Sequence, residues 1–175
     1  MKLRIQSVTP EILKQAEEYF DEKYKNIIKQ KSSHKESLIA RYLIHHYTWK
    51  YSSISHKKNL VFIWVNDRNI WIDIEIFKQR DISLLQKFSQ EEYNILWDYD
   101  WNNFYTLWVT KESMIKFVKW KLDDMEDIKI IEASHISKEI SDILFNRKLI
   151  WEFQWKLYTI YSGKKWNMFY SVCID

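Results

Sequence analysis

The segment Ile72-Asp73-Ile74-Glu75-Ile76 sets two carboxylates among three isoleucines. Side chains alternate along a strand, so Asp73 and Glu75 share one face and the isoleucines the other. Their Cα atoms then lie roughly 6.6 Å apart, two rises of ~3.3 Å, close enough for both to ligate one hard cation directly or through water. Taken alone, the same alternation describes any half-exposed strand. A second group lies in Phe104-Tyr105-Thr106-Leu107-Trp108-Val109-Thr110-Lys111-Glu112-Ser113-Met114-Ile115-Lys116, where Phe104, Leu107, Trp108, Ile115 and Val118 form a helical apolar stripe with Lys111 at its centre. Such a lysine either snorkels past the apolar edge or meets an anionic ligand in a cleft. Glu112 and Lys116, four apart, read either as a surface ion pair worth ~0.3 to 0.5 kcal/mol or as a third metal carboxylate beside a proton donor. Ser55-His56-Lys57-Lys58 reads as a loop that offers a phosphate-contact set or is simply a solvated turn. His34, His45, His46 and His135 have no metal-type partners at suitable spacing, and Cys173 reads as a small core residue. No Gly-rich phosphate loop, zinc spacing or nucleophile elbow is present.

The elements that must position these groups follow from periodicity and caps. Residues 2–8 alternate as a strand, and Thr9-Pro10 supplies an N-cap with proline at the first helical position. Ile12, Leu13, Ala16, Phe20, Tyr24, Ile27 and Ile28 make one apolar stripe, predicting a helix to about Gln30. Ser33 and Glu36 form a capping box for a second helix carrying Leu38, Ile39, Tyr42, Leu43 and His46. Residues 60–65 and 70–76 read as strands joined by a short hairpin connection at Asn66-Asp67-Arg68-Asn69. Beyond Arg80-Asp81, Ser89 and Glu92 form another capping box and Phe88 with Tyr93 a hydrophobic staple. A longer helix is predicted over about residues 103–119, and the remainder reads mainly as strands, including residues 128–131, 157–161 and 168–174. A division near residues 78–83 makes each half a small α+β lobe.

Composition bounds the function. The 175 residues are 46% hydrophobic and 29% charged with a single cysteine, which excludes a disordered chain and a disulfide framework. The longest purely apolar run, residues 60–65, has six residues, against the ~20 a membrane-crossing helix needs. The N-terminus has no continuous apolar core of a signal peptide, so a cytoplasmic protein is expected. A net charge of +3 is too small to mark a dedicated nucleic-acid binder and mildly favours acidic partners. One feature is anomalous: average usage predicts roughly 12 glycines, and the chain has one glycine and ten tryptophans. Some bacterial lineages read UGA as glycine, and translating such a gene with UGA as tryptophan gives this exchange; an AT-rich genome encoding a Trp-rich protein is the other reading.

In this order the segments resemble the 4'-phosphopantetheinyl transferases, specifically the longer two-lobed type that activates carrier proteins of peptide and polyketide synthases. The family's pattern runs from an arginine in a helix through a Ser-His loop, a Gly-Ile-Asp-Ile-Glu strand and a Phe-Ser-x-x-Glu helix start to a Trp-x-x-Lys-Glu-Ser/Ala-x-x-Lys helix. Here these stand as Arg41, Ile54-Ser55-His56, Trp71-Ile72-Asp73-Ile74-Glu75, Phe88-Ser89-Gln90-Glu91-Glu92 and Trp108-Val109-Thr110-Lys111-Glu112-Ser113-Met114-Ile115-Lys116. The resemblance spans about residues 38–122. It implies an α+β fold of two similar small lobes, about residues 1–80 and 81–175, in a pseudo-twofold arrangement forming one transferase unit. It implies transfer of the phosphopantetheine arm of coenzyme A to a serine of an apo acyl or peptidyl carrier protein, releasing 3',5'-ADP. By resemblance, Asp73, Glu75 and Glu112 hold Mg²⁺, Glu112 takes the serine proton, and Lys116 steadies or protonates the departing phosphate. Arg41, Lys50, Ser55, His56, Lys111 and Lys116 are the implied coenzyme A contacts, in a protein acting as a monomer without nucleic acid or membrane.

The sequence departs from that pattern at Trp71, before the Asp-x-Glu pair, and at Trp49, where the family has glycine; its Gly-rich helix end reads Lys119-Trp120-Lys121-Leu122. Glycine decoding repairs the first two and part of the third. The other readings are a non-catalytic aromatic and basic module for single-stranded RNA, and an inactive transferase relative that still binds a carrier protein.

Overall fold

A computed structural model describes residues 2–29, 34–47, 50–119, 125 and 127–174. Strand β1 (Lys2–Ser7) leads into helix α1 (Pro10–Tyr19), whose Thr9 hydroxyl accepts from the Ile12 N–H. The stripe expected as one helix to about Gln30 is divided. Phe20 turns extended, and the Asp21 carboxylate accepts from the Tyr24 N–H at 2.7 Å to start a new helix, α2 (Glu22–Lys29). Apolar spacing continues across the break, but Asp21 offers the backbone a cap in place of the next helical turn. Helix α3 (His34–His45) follows; its expected capping residue, Ser33, lies outside the described residues, as do Trp49 and Trp120.

Strands β2 (Tyr51–Lys57) and β3 (Leu60–Asn66) pair antiparallel, and β1 pairs with the other edge of β3. Strand β3 is therefore central, and its continuous apolar run serves two faces. Val61 and Ile63 pack against Ala16, Phe20, Leu38 and Ile39 of the helices, while Phe62 and Trp64 face Ile70, Ile72 and Phe145 of a second sheet. Residues 55–57, expected in a loop, are the end of β2, and the turn is confined to Lys58 and Asn59.

Strand β4 (Ile70–Ile76) does not form the expected hairpin with β3. Both edges of β3 are already taken by β1 and β2, so β4 crosses to a five-stranded sheet and pairs with the C-terminal strand β8 (Met168–Ile174). A 3-10 turn at Ile82–Lys87 precedes helix α4 (Gln90–Ile95), where both hydrogen bonds of the Ser89 and Glu92 capping box form. Asp100 then caps helix α5 (Trp101–Val118), accepting from the Asn103 N–H at 2.7 Å. Strands β5 (Lys129–Ile140), β6 (Ile143–Phe153) and β7 (Lys156–Lys165) complete an antiparallel sheet in the order β4-β8-β7-β6-β5. The fold is α+β, with sheets of three and five strands. Helix α5 lies across β4 and β8: the Ser171 hydroxyl of β8 donates to the Val109 carbonyl, and Cys173 is buried beside Met114. Among the described residues no helix is long and apolar enough to cross a membrane.

Candidate functional site

The two sheets meet along β2 and β4, and the carboxylates of β4 lie in that seam. One edge of β4 pairs with β8; on the other, the N–H groups of Ile72 and Ile74 donate to the hydroxyls of Ser53 and Ser55 on β2, at 3.1 and 3.2 Å. Two serine side chains thus stand where a paired strand's carbonyls would stand, which satisfies the edge while leaving a side chain's width between the strands. The Ser55 hydroxyl also donates to Asp73 Oδ1 at 3.0 Å, and Lys57, two residues on, reaches Glu75 Oε1 at 2.7 Å.

Strand alternation sends Ile72 and Ile74 into the core between the sheets and Asp73 and Glu75 toward α5. The expected half-exposed strand is covered on both faces at this point, and Asp73 is only 5% exposed. From α5, Lys116 donates to Asp73 Oδ1 at 2.6 Å. Lys116 therefore meets Asp73 across the seam, whereas sequence spacing alone points to Glu112 as its ion-pair partner. Burial raises the Asp73 pKa above the ordinary carboxylate value, against the opposing effects of Lys116 and Ser55. Glu112 is also raised, first by desolvation and then by the negative charge of Asp73, with Lys116 opposing and Glu75 adding to the repulsion. Three carboxylates and two ammonium groups from β2, β4 and α5 therefore share one electrostatic field.

Asp73 Oδ2 and Glu75 Oε2 are both buried without a hydrogen-bond partner. Buried carboxylate oxygens are rarely left so, and hard oxygen donors flanked by a third carboxylate suit a Mg²⁺-like cation in their chemistry. As they stand, no three His, Cys, Asp or Glu side chains among the described residues converge as a finished metal cage; Lys57 and Lys116 supply the counter-charge. A cavity of about 70 Å³ opens beside Glu75, lined by Arg80, Lys87, Tyr105 and Trp108 among others.

Of the residues singled out in the sequence, Ser55, Asp73, Glu75, Glu112 and Lys116 come together here. Lys111 does not join them. Its ammonium is 3% exposed, 2.6 Å from Glu92 and 3.1 Å from the Met125 carbonyl, with the rings of Phe88 and Trp151 at 5.1 and 5.5 Å. Arg41 is half-buried on α3, and Lys50 is exposed with its ammonium over the Tyr51 ring. His56 falls on the opposite face of β2 from Ser55, the face from which Ile54 packs against the helical cluster. Lys57, read from the sequence as part of a phosphate-contact loop, instead pairs with Glu75, and Ser53 is the residue that sequence reasoning passed over; once β2 is recognised as a strand, the spacing 53, 55, 57 puts all three on one face.

Compared with known proteins, the chain matches no family model and has no significant similarity to a curated protein.

Proposed function

We propose that this chain is a 4'-phosphopantetheinyl transferase, with a pseudo-twofold pair of lobes, acting on coenzyme A and the serine of an apo carrier protein. The observation that supports it is the convergence of Asp73, Glu75, Glu112 and Lys116, from two segments over thirty residues apart, around buried carboxylate oxygens that have no partner. In this reading Asp73, Glu75 and Glu112 hold Mg²⁺, which would supply charge neutralisation for a pyrophosphate. Phosphoryl transfer requires little else of a protein than positioning and charge stabilisation.

The chain's own residues have distinct tasks. Glu112, whose raised pKa favours proton uptake, accepts the proton of the attacking serine hydroxyl. The serine oxygen bonds to the phosphorus that bears the pantetheine arm, the bond from that phosphorus to the bridging pyrophosphate oxygen breaks, and 3',5'-ADP leaves. Lys116 compensates the charge that develops on the leaving phosphate, moving there from Asp73. Ser55 fixes Asp73 from the β2 side. Lys50, Arg41 and His56 are candidate contacts for more distant parts of coenzyme A, and the buried Lys111 with Glu92 positions the α5 segment that carries Glu112.

The test is the intact mass of an apo carrier protein after incubation with this protein, coenzyme A and Mg²⁺. One phosphopantetheine is expected to be added, and none by Asp73→Ala or Glu112→Gln. Unchanged mass across several carriers, with folded protein, overturns the reading.

A further inference from the structure

Eight described non-glycine residues have a positive φ, and three of them are tryptophan, although tryptophan makes up only ten of the 175 residues. The other five are Lys58, Lys119, Ser141, Asp142 and Gln154. A bulky residue is a genuine outlier in this region, which glycine enters without penalty.

Each of the three positions has its own reason for wanting glycine. Trp97 follows the cap residue of α4, at φ 75°, and its N–H bonds back to the Asn94 carbonyl at 3.1 Å; this is the left-handed position after a helix that glycine fills most often. Gln154 and Trp155, at φ 48° and 65°, are the two central residues between the paired Phe153 and Lys156, so Trp155 stands where type I' hairpins take the glycine of Asn-Gly. Trp166 and Asn167 join the paired Lys165 and Met168, and Trp166 alone of the two has positive φ, at 55°; II' turns place glycine first in this way.

The indoles provide little packing in return. Trp155 is 95% and Trp166 81% exposed, while Trp97, 49% exposed, stacks on His135 at 4.4 Å. Trp108 is different: it sits inside α5 with ordinary helical backbone, half-buried among Phe88 and Phe104 and beneath the Lys87 ammonium. Backbone conformation therefore marks some tryptophan positions and packing marks others.

We propose that positions 97, 155 and 166 are glycine in the protein its own cell makes, encoded by UGA and inserted by a glycine-charged tRNA, while Trp108 is tryptophan. Three exposed aromatic side chains then vanish from the turns, so those turns are not an aromatic docking surface. Trp64, Trp71 and Trp151 bury indole N–H groups without an acceptor. Each lies in a regular strand and has no positive φ, so nothing in their backbone requires glycine, and they stand outside the proposal.

The inference is independent of the transferase reading, and its test reads residue identity rather than activity. Peptide mass spectrometry of the protein isolated from its own cells is expected to find glycine at 97, 155 and 166 and tryptophan at 108; tryptophan at any of the three overturns the proposal. The recombinant chain gives a second measurement. Replacing Trp97, Trp155 and Trp166 together by glycine is expected to raise the thermal midpoint by roughly 5 to 20 °C, while Trp108→Gly lowers it. An unchanged or lower midpoint for the triple variant counts against the proposal.

Discussion

Lys111 and Lys116 lie little more than one turn apart on α5, and each meets a carboxylate at 2.6 Å, yet the surroundings differ at every other point. Lys111 and Glu92 are enclosed, with a backbone carbonyl and two aromatic faces completing the coordination of the ammonium. Around Lys116 and Asp73, two further carboxylates crowd the pair and Lys116 itself is partly open to solvent; buried oxygens without a hydrogen bond occur at both places, Asp73 Oδ2 and Glu75 Oε2 here and Glu92 Oε1 beside Lys111. An enclosed one-to-one pair holds structure together, whereas a cluster with three carboxylates to two ammonium groups, partly open to solvent, retains capacity for a cationic ligand. The two lysines are indistinguishable by type; what surrounds the partner separates their roles.

The largest effect is expected at Lys111. Lys111→Met leaves Glu92 without its ammonium, and a loss of about 3 to 5 kcal/mol in denaturant unfolding is expected, with much of it recovered when Glu92→Leu is added. Similar stability for the single and double variants would remove the distinction. At the other pair, Mg²⁺ is expected to raise the thermal midpoint of the wild-type chain, and Asp73→Asn to abolish that rise while leaving unfolding nearly unchanged. A Mg²⁺ response equal to wild type would show that Asp73 is not a ligand.

The crowding around Glu112 has a pH signature. Asp73 and Glu112 have folded pKa values above their ordinary ones, so the native state retains protons that the unfolded chain has released. Stability from this source is greatest at acidic pH and falls as pH rises from the ordinary carboxylate range through the raised values. Thermal midpoints followed from about pH 4 to 8 are expected to show that fall, and Glu112→Gln to flatten it. The smallest effect is at Lys57, whose ammonium is half-exposed. Lys57→Ala is expected to lower stability by no more than about 1 kcal/mol while making the Mg²⁺ response larger, because Glu75 loses its internal counter-charge.

Most of the local structure is legible in the chain itself. Thr9, Ser89 and Glu92 cap the helices they are expected to cap, because a cap is decided within three or four residues. The alternation of Asp73 and Glu75 with isoleucines gives a shared carboxylate face for the same reason. Asp21 is legible in principle, since an aspartate three residues before Tyr24 is a cap signal inside the apolar stripe, but the stripe's periodicity continues through the break and hides it.

Long-range pairing is a different matter. Nothing near residues 66–69 says that β3 will have both edges occupied, and without that fact the adjacent strand β4 reads as its hairpin partner. The same holds for the lysines: helix periodicity puts Lys111 in an apolar stripe and Lys116 beside Glu112, but their partners Glu92 and Asp73 come from other elements. The order of residues along the chain was enough for the caps, the alternating strand, the chemical types in the site and the excess of tryptophan over glycine. It took the folded arrangement to establish that β4 joins β8, that Ser53 and Ser55 seal its other edge, which lysine meets which carboxylate, and which tryptophans occupy backbone suited to glycine. Caps and alternation are fixed by neighbours a few residues away, whereas strand edges, burial and φ at a turn are set by whatever the rest of the chain brings alongside.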